Sequence, residues 1–366
     1  MLRPDFRSVR YSKAWLAGPV RVEEQEIVLD RDGTSVPATL SRPLSRSDPL
    51  PAWVVLHGIT RRGRSHEQLA RFTRALVSTG AAVAVPEVPE WRNFALAPRL
   101  ALPTLKAALR GLRSSGWARD APVGVVGFSF GAPHAIAATA HPDVRDQVAG
   151  SLGFGGYCSL ERTIRFLLTG EHEWEGRVQR LEPDPYGRWI VAANYLTAVP
   201  GLGDTGDVAD ALRSLAAEAG DLGIPSNDAH LDHLKTALAG RLEDAHREIF
   251  ELFAPAAHAM PDPERAERMG TDLAAAARRT DPGIEPAAAL GQVRLPVHVL
   301  HGRDDNLIPC SEGLRLKASL PDETWSRVTI TGLFGHSGQS SFRNSLRRLG
   351  DVPAFLRALS SGLRMV

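Results

Sequence analysis

The pentapeptide GFSFG at 127–131 places a serine, Ser129, between two glycines. It stands between the apolar run PVGVV and a predicted helix that begins near Ala132. A serine on so tight a strand-to-helix turn needs small flanking residues, because a β-carbon at either glycine would collide with its neighbours. The turn presents the hydroxyl at the sheet edge, and the following helix N-terminus favours negative charge nearby. We therefore predict that Ser129 is a nucleophile; a chance glycine-serine turn is the alternative.

A second segment, HGRDDNLIP at 301–309, follows the apolar run LPVHVL and supplies candidate acids. Ligands and catalytic groups collect at the carboxyl ends of strands in open α/β sheets. A serine attacks only when a base removes its proton, and a buried carboxylate fixes the tautomer of that base and stabilises its charged form. We prefer Asp305 for this carboxylate. Asp304 remains the alternative, and it would otherwise be a turn or capping residue.

The candidate base is His336, within the glycine-containing segment FGHSG at 334–338. It is the only one of the 12 histidines that follows Asp305. The order serine, aspartate, histidine along the chain is typical of one fold that carries such a triad. We predict that His336 takes the proton of Ser129.

A fourth segment, HGIT at 57–60, follows the apolar run PAWVVL. An oxyanion requires preorganised donors, and a backbone N–H from this loop can act together with the N–H of the residue after the nucleophile. These donors are predicted to be the N–H groups of Ile59 and Phe130. The side chain of His57 is predicted to be structural, since a second general base is not needed.

The elements that must position these residues alternate along the chain. Short valine-rich runs in PAWVVLHG, AAVAVPEV and APVGVVGFS indicate strands buried on both faces. Helical patterns lie between them: one follows a capping box at 65–68 and continues through about Ser78, and a second covers about 104–114. The pair Asp32-Gly33 predicts a hairpin that opens the sheet. Further strands are predicted in VAGSLGFGG, LPVHVLHG and WSRVTITG, with helices at 131–140 and 342–360. The predicted class is α/β, with a mostly parallel, doubly wound sheet.

Residues 157–292 have a different character, because helical patterns dominate and few runs resemble strands. The prediction is a helical insertion at 157–292 in a core formed by 1–156 and 293–366. One apolar stripe at helical spacing predicts a single helix; it comprises Leu231, Leu234, Leu238, Leu242, Ala245, Ile249 and Leu252.

These segments together resemble the α/β-hydrolase superfamily: HG after the third strand, GFSFG as nucleophile elbow, HGRDDNLIP as acid loop and GHS around the histidine. The resemblance covers roughly 20–156 and 293–360. It implies an esterase-like serine hydrolase in which the insertion forms a cap over the site. It does not identify the substrate.

Hydrolysis of a carboxylic ester through an acyl-enzyme is the leading hypothesis, and it requires no cofactor. The same triad could act on an amide, thioester or carbon–carbon bond or transfer the acyl group, and a non-catalytic ligand-binding homologue is a further alternative. Phe128 and Tyr157, together with Ile59 and Phe130, are candidates for an apolar substrate pocket, with ordinary packing as the alternative. The expected partner is a small molecule with an apolar part.

Composition excludes several other classes. With 43 basic and 42 acidic residues the net charge is +1, so no global field favours nucleic acid. No apolar run has the length of a membrane span or signal peptide, and the two cysteines lie far apart, so we expect a cytoplasmic protein of unspecified oligomeric state. We predict no metal site: the histidines and aspartates at 228–233 and the segment EHEWE at 171–175 are expected to be solvated.

Overall fold

The structure is a computed structural model that describes residues 6–18, 20–44, 48–333 and 350–366. The predicted base, His336, lies outside the described residues, as does the first half of the helix predicted at 342–360. The other predicted site residues lie within them.

The described strands fall where the valine-rich runs predict them, with two more in the insertion. They are β1 (Val22–Arg31), β2 (Thr34–Pro43), β3 (Ala52–Leu56), β4 (Ala82–Pro86), β5 (Val123–Phe128), β6 (Val148–Phe154), β7 (Glu171–Trp174), β8 (Arg177–Arg180), β9 (Val297–Gly302) and β10 (Ser326–Thr331).

Within the described residues, one sheet has eight strands in the order β1-β2-β4-β3-β5-β6-β9-β10. Strand β2 runs antiparallel to both of its neighbours, and every other neighbouring pair is parallel. Every residue of β3 and β4 is buried, as expected for strands that are covered on both faces. The predicted α/β class with a mostly parallel sheet is confirmed.

The predicted hairpin joins β1 to β2. Asp32 and Gly33 both have positive φ, of 50° and 84°, between the paired residues Arg31 and Thr34. Positive φ at both central residues defines the two-residue turn whose twist matches that of the flanking strands. The sheet therefore begins with an antiparallel pair.

Helices flank the sheet on both faces, and others form the insertion. They are α1 (Phe6–Ala17), α2 (Glu67–Ser78), α3 (Pro89–Arg92), α4 (Ala101–Ser114), α5 (Gly131–Ala138), α6 (Pro142–Arg145), α7 (Leu160–Thr169), α8 (Pro185–Tyr195), α9 (Gly206–Leu222), α10 (Asp232–Ala239), α11 (Asp244–Phe253), α12 (Pro263–Thr280), α13 (Ala287–Leu290), α14 (Cys310–Ala318) and α15 (Val352–Leu363).

The alternation of side chains along β3 divides the core into two layers. Val54 and Leu56 belong to an apolar cluster with α4 and α5, whereas Trp53 and Val55 belong to a cluster with α1, α2 and α15. Successive side chains of a strand point to opposite faces, so one short strand contributes to both layers. Both layers hold β5 and its following turn in place.

The segment between β6 and β9 contains α7 to α13 and the separate β7–β8 hairpin. Buried side chains of α7, α8, α9, α11 and α12 belong to the same apolar cluster as α4 and α5. The insertion thus packs on the core through a continuous apolar contact. No helix of the described residues is both long and apolar enough to cross a membrane.

The single helix predicted along the apolar stripe of the insertion is wrong in two respects. The apolar stripe at 231–252 belongs to two helices, α10 and α11, rather than one, because the chain breaks at 240–243. The guanidinium of Arg247 donates to the carbonyls of Ala239 and Leu242, which lie at this break. Ala245, predicted to be on the buried stripe, is exposed, and α11 instead buries Phe250 and Phe253.

The segment at 171–175 is not simply solvated, because most of it forms the half-buried strand β7. His172 Nδ1 lies 3.2 Å from Ser311 Oγ, and Glu173 pairs with Arg315 at 2.7 Å.

The capping box predicted at 65–68 is also absent, since α2 begins after His66 without a side-chain cap. Nowhere in the described ranges do three or more His, Cys, Asp or Glu residues form a group that could hold a metal ion.

Candidate active site

Ser129 occupies a strained turn between β5 and α5. Its φ is 52°, a left-handed conformation that is uncommon for a residue with a side chain. Its N–H donates to the carbonyl of Phe154 at 2.7 Å, and its carbonyl accepts from the N–H of Ala132 at 3.0 Å. Strain of this kind persists only where the surroundings impose it, and it concentrates at functional sites.

The two glycines of GFSFG leave no room for a side chain. A β-carbon on Gly127 would lie 2.6 Å from the Cα of Ala132, and one on Gly131 would overlap the carbonyl oxygen of His57. The structure therefore agrees with the steric reason for small residues on both sides of Ser129. The second glycine also brings the start of α5 against the loop that follows β3.

That loop lies directly against Ser129. A β-carbon on Gly58 would lie 2.8 Å from Ser129 Cβ and 3.4 Å from Ser129 Oγ. Within the described residues, neither the N–H of Ile59 nor that of Phe130 donates to a backbone acceptor in a turn, loop or cap. Both N–H groups therefore remain suitable for the oxyanion role predicted for them.

The loop is held from behind by a buried pair, His57 and Glu87. The Nδ1 of His57 bonds the carbonyl of Gly58 at 2.7 Å, and its Nε2 lies 2.9 Å from a carboxylate oxygen of Glu87. Burial acts to raise the pKa of Glu87, but hydrogen bonds and charge from His57 and Arg64 outweigh it and hold that pKa below its usual value. This contact is consistent with the structural role predicted for His57. Glu87 was not identified from the sequence as the partner of His57.

The two candidate acids differ sharply in their surroundings. Asp305 is 1% exposed, whereas Asp304 is exposed. One carboxylate oxygen of Asp305 accepts the N–H groups of Leu307 at 3.1 Å and Ile308 at 3.0 Å. Hydrogen bonds from backbone N–H groups favour the ionised form and fix its orientation.

Sheet topology brings Ser129 and Asp305 to one edge. Ser129 follows β5 and Asp305 follows β9, and both strands pair in parallel with β6 between them. The carboxyl ends of parallel strands meet at the same edge, which is where ligands bind in open α/β sheets. His336 lies outside the described residues.

The rings proposed for a substrate pocket have well-defined packing partners. Phe128 stacks on Phe154 at 4.9 Å and meets Phe72 edge-on at 4.9 Å, between the sheet and α2. Tyr157 is 2% exposed and lies near the ring of Phe130, at 6.1 Å. Phe128 and Tyr157 therefore pack against other rings, which was the alternative interpretation of these residues. That they also line a substrate pocket stays a prediction.

Tyr157 also belongs to a buried polar chain behind the elbow. Its hydroxyl donates to the carbonyl of Ile284 at 2.9 Å and lies 2.7 Å from His134 Nε2, so the imidazole of His134 must be the donor in that second bond. Burial lowers the pKa of His134 from 6.5 to about 3. The imidazole is therefore neutral in the folded protein.

This shift predicts a pH dependence of stability. Between pH 6.5 and about 3 the unfolded state binds a proton at His134 that the folded state does not, so the free energy of unfolding falls as the pH is lowered. We expect His134→Gln to reduce the slope of that fall by up to ~1.4 kcal/mol per pH unit, measured by urea unfolding at several pH values. Exposed His233→Gln is the control and should keep the wild-type slope; an unchanged slope in His134→Gln would contradict the assignment.

A second prediction follows from the close approach of Gly58 to the side chain of Ser129. We expect Gly58→Ala to push the loop away from the serine and lower kcat/KM by on the order of 10²-fold, because small misplacements of reacting groups have effects of that size. Steady-state hydrolysis of p-nitrophenyl acetate measures it. Gly291→Ala, whose β-carbon would have ordinary contacts of 3.4 Å or more, is the control. Equal activity of both variants would show that the close approach is unimportant.

In the part of the chain that the structure describes, the order of the eight strands, with β2 antiparallel to both of its neighbours, and the serine turn after β5 define the α/β-hydrolase fold. No protein-family model and no curated protein sequence matches the chain.

Several solved structures are similar at low identity. Est1E from Butyrivibrio proteoclasticus is 12% identical with a TM-score of 0.48, over 92% of this chain and 99% of that one. Pyrococcus horikoshii acylaminoacyl peptidase is 12% identical with a TM-score of 0.48, over 97% of this chain but only 44% of the peptidase. The 2-hydroxy-6-oxo-6-phenylhexa-2,4-dienoate hydrolase from Rhodococcus sp. strain RHA1 is 14% identical with a TM-score of 0.47, over 93% and 99%. These similarities do not indicate which reaction this chain performs.

Proposed function

We propose that the protein is a serine hydrolase that cleaves a carboxylic ester through an acyl-enzyme. Ser129 is the nucleophile, His336 the general base and Asp305 the carboxylate that orients it. The observation that carries the proposal is the strained turn at Ser129, with φ of 52° and the Gly58 loop packed against its side chain. A serine that served only packing would gain nothing from that strain.

The chemistry follows from these positions. His336 takes the proton of Ser129 as its oxygen attacks the ester carbonyl, and the N–H groups of Ile59 and Phe130 stabilise the oxyanion that forms. His336 then protonates the departing alkoxide. Water then gives a proton to the same base as its oxygen attacks the acyl-enzyme, and His336 returns that proton to Ser129 as the acid leaves, so every proton is accounted for without a cofactor.

Residues 157–292 act in this proposal as a cap on a core of 1–156 and 293–366. The first turn of α8 supports this assignment, because the N–H of Asp184 donates to the carbonyl of Asn306 in the acid loop at 2.7 Å. The substrate is then a small molecule held between the insertion and the strand ends.

A substrate panel tests the proposal. Purified protein is assayed on p-nitrophenyl esters of increasing acyl length, on acyl thioesters and on p-nitroanilides. We expect ester turnover that is lost in Ser129→Ala. Rapid turnover of thioesters or amides without ester turnover would overturn the choice of bond, and no turnover of any class would favour a ligand-binding protein.

A further inference from the structure

The first turn of α8 touches two loops of the candidate site, and neither contact is part of the proposed triad. Asp184 begins this turn: its N–H donates to the carbonyl of Asn306 at 2.7 Å, and its carboxylate accepts the N–H of Tyr186 at 3.0 Å. Pro185 occupies the first helical position, where its fixed φ suits a helix start. The position of Tyr186 is thus set by the acid loop.

Close packing reinforces this position. A β-carbon on Gly187 would lie 2.8 Å from Leu307 in the acid loop and 2.5 Å from Leu167 in α7. The start of α8 therefore cannot approach more closely, and the absence of a side chain at 187 allows the present contact. The contacts of Asp184 and Gly187 with the acid loop together fix the position of Tyr186.

The side chain of Tyr186 reaches the other loop. Its hydroxyl donates to the carbonyl of Ile59 at 3.5 Å, and its ring meets Phe94 edge-on at 6.1 Å. Strong O–H···O bonds have lengths of about 2.7–2.8 Å. Within the described ranges this long contact is the one hydrogen bond of the hydroxyl, so a closer acceptor would compete for it readily.

The place of this hydroxyl relative to Ser129 gives it a chemical role. Ile59 follows Gly58, and a β-carbon on Gly58 would lie 3.4 Å from Ser129 Oγ. Burial and the Asp184 carboxylate both raise the pKa of Tyr186 above its ordinary value, so the phenol remains a protonated donor at neutral and mildly alkaline pH. A neutral donor beside a candidate oxyanion loop suits an oxygen that gains negative charge.

We propose that Tyr186 is a further catalytic residue, whose hydroxyl leaves the Ile59 carbonyl and donates to the acyl oxygen of the bound ester. This inference rests on the proposed serine hydrolase function. It gives the insertion a direct part in the chemistry: α8 supplies a side-chain donor beside the two backbone N–H groups. The hydroxyl exchanges one hydrogen bond for another, makes or breaks no covalent bond, and keeps its proton.

Tyr186→Phe tests the proposal, because it removes the hydroxyl and keeps the ring. We expect kcat for p-nitrophenyl acetate to fall by on the order of 10²-fold with little change in KM, as for the loss of one oxyanion donor. The inhibition constant of an alkyl trifluoromethyl ketone, which forms a charged adduct with the serine, should rise by a similar factor. A purely structural role would lower the thermal stability without this matched change.

Tyr195→Phe is the matched control in the same helix. Tyr195 is 2% exposed, and its hydroxyl donates to the carbonyl of Leu96 at 3.3 Å, so its loss should affect stability and leave kcat within about twofold. If Tyr186→Phe does not fold, 3-fluorotyrosine at 186 keeps the ring and the hydroxyl but makes the phenol a stronger hydrogen-bond donor, so kcat should change while KM and thermal stability stay at wild-type values; an unchanged kcat would overturn the role.

The outcomes separate the two proposals. Wild-type kcat and wild-type ketone inhibition in Tyr186→Phe, with an active wild type, would overturn the role of Tyr186 alone. A wild type that neither hydrolyses the panel nor reacts with a fluorophosphonate would overturn the serine hydrolase and with it this inference.

Discussion

Ser129→Ala is expected to lower kcat for the best ester of the panel by on the order of 10⁶-fold, the size of effect known for loss of a nucleophilic serine. Alanine keeps the backbone turn and the contact with Gly58 but has no oxygen to attack the carbonyl. Any remaining turnover would come from the oxyanion donors and substrate binding alone. Initial rates at saturating substrate, with protein stability checked by thermal unfolding, measure the effect.

Ser151→Ala is the matched control. Ser151 lies in β6, beside β5, and its buried hydroxyl has no hydrogen-bond partner among the described residues. Removing that hydroxyl should leave kcat unchanged and stability equal or slightly higher. A Ser129→Ala protein that folds and retains more than a few per cent of wild-type kcat would show that another group attacks.

Asp305→Asn is expected to lower kcat by on the order of 10⁴-fold, because an amide favours the wrong tautomer of the histidine and cannot stabilise its charged form. The amide would also meet the N–H groups of Leu307 and Ile308, which now donate to the carboxylate. Comparison of kcat in wild type and variant measures the loss.

Asp304→Asn separates the two candidate acids. Asp304 has the same chemistry one residue earlier but is exposed, so its loss should change kcat by less than about threefold. A large loss in Asp304→Asn together with a small one in Asp305→Asn would reverse the assignment.

Local patterns predicted the elements that position the site. Two of the three valine-rich runs became fully buried strands, and Asp32-Gly33 forms the two-residue turn predicted for it. The glycines around Ser129 were predicted from the steric needs of the turn; Gly127 meets Ala132 within that turn, whereas Gly131 meets the carbonyl of His57, a contact that depends on the fold. The sequence favoured Asp305 but left Asp304 open, since the difference between them is one of burial in the folded chain.

Features that depend on distant contacts were missed. Tyr186 contacts Ile59 across 127 residues of sequence, and Glu87 pairs with His57 after a whole strand and helix. The break at 240–243 was hidden because the apolar spacing continues through it, although the carbonyls beside it are bonded by Arg247. Polar strands β7 and β8 have no alternating apolar pattern that could reveal them.

The most direct test of the central claim is covalent labelling with a fluorophosphonate, followed by intact-mass measurement and peptide mapping. Such probes phosphonylate a serine only when a base activates it and an oxyanion site is present. We predict one adduct per chain on Ser129 in wild type, slower labelling in Asp305→Asn, and none in Ser129→Ala. An unlabelled wild type, or an adduct that persists in Ser129→Ala, would contradict it.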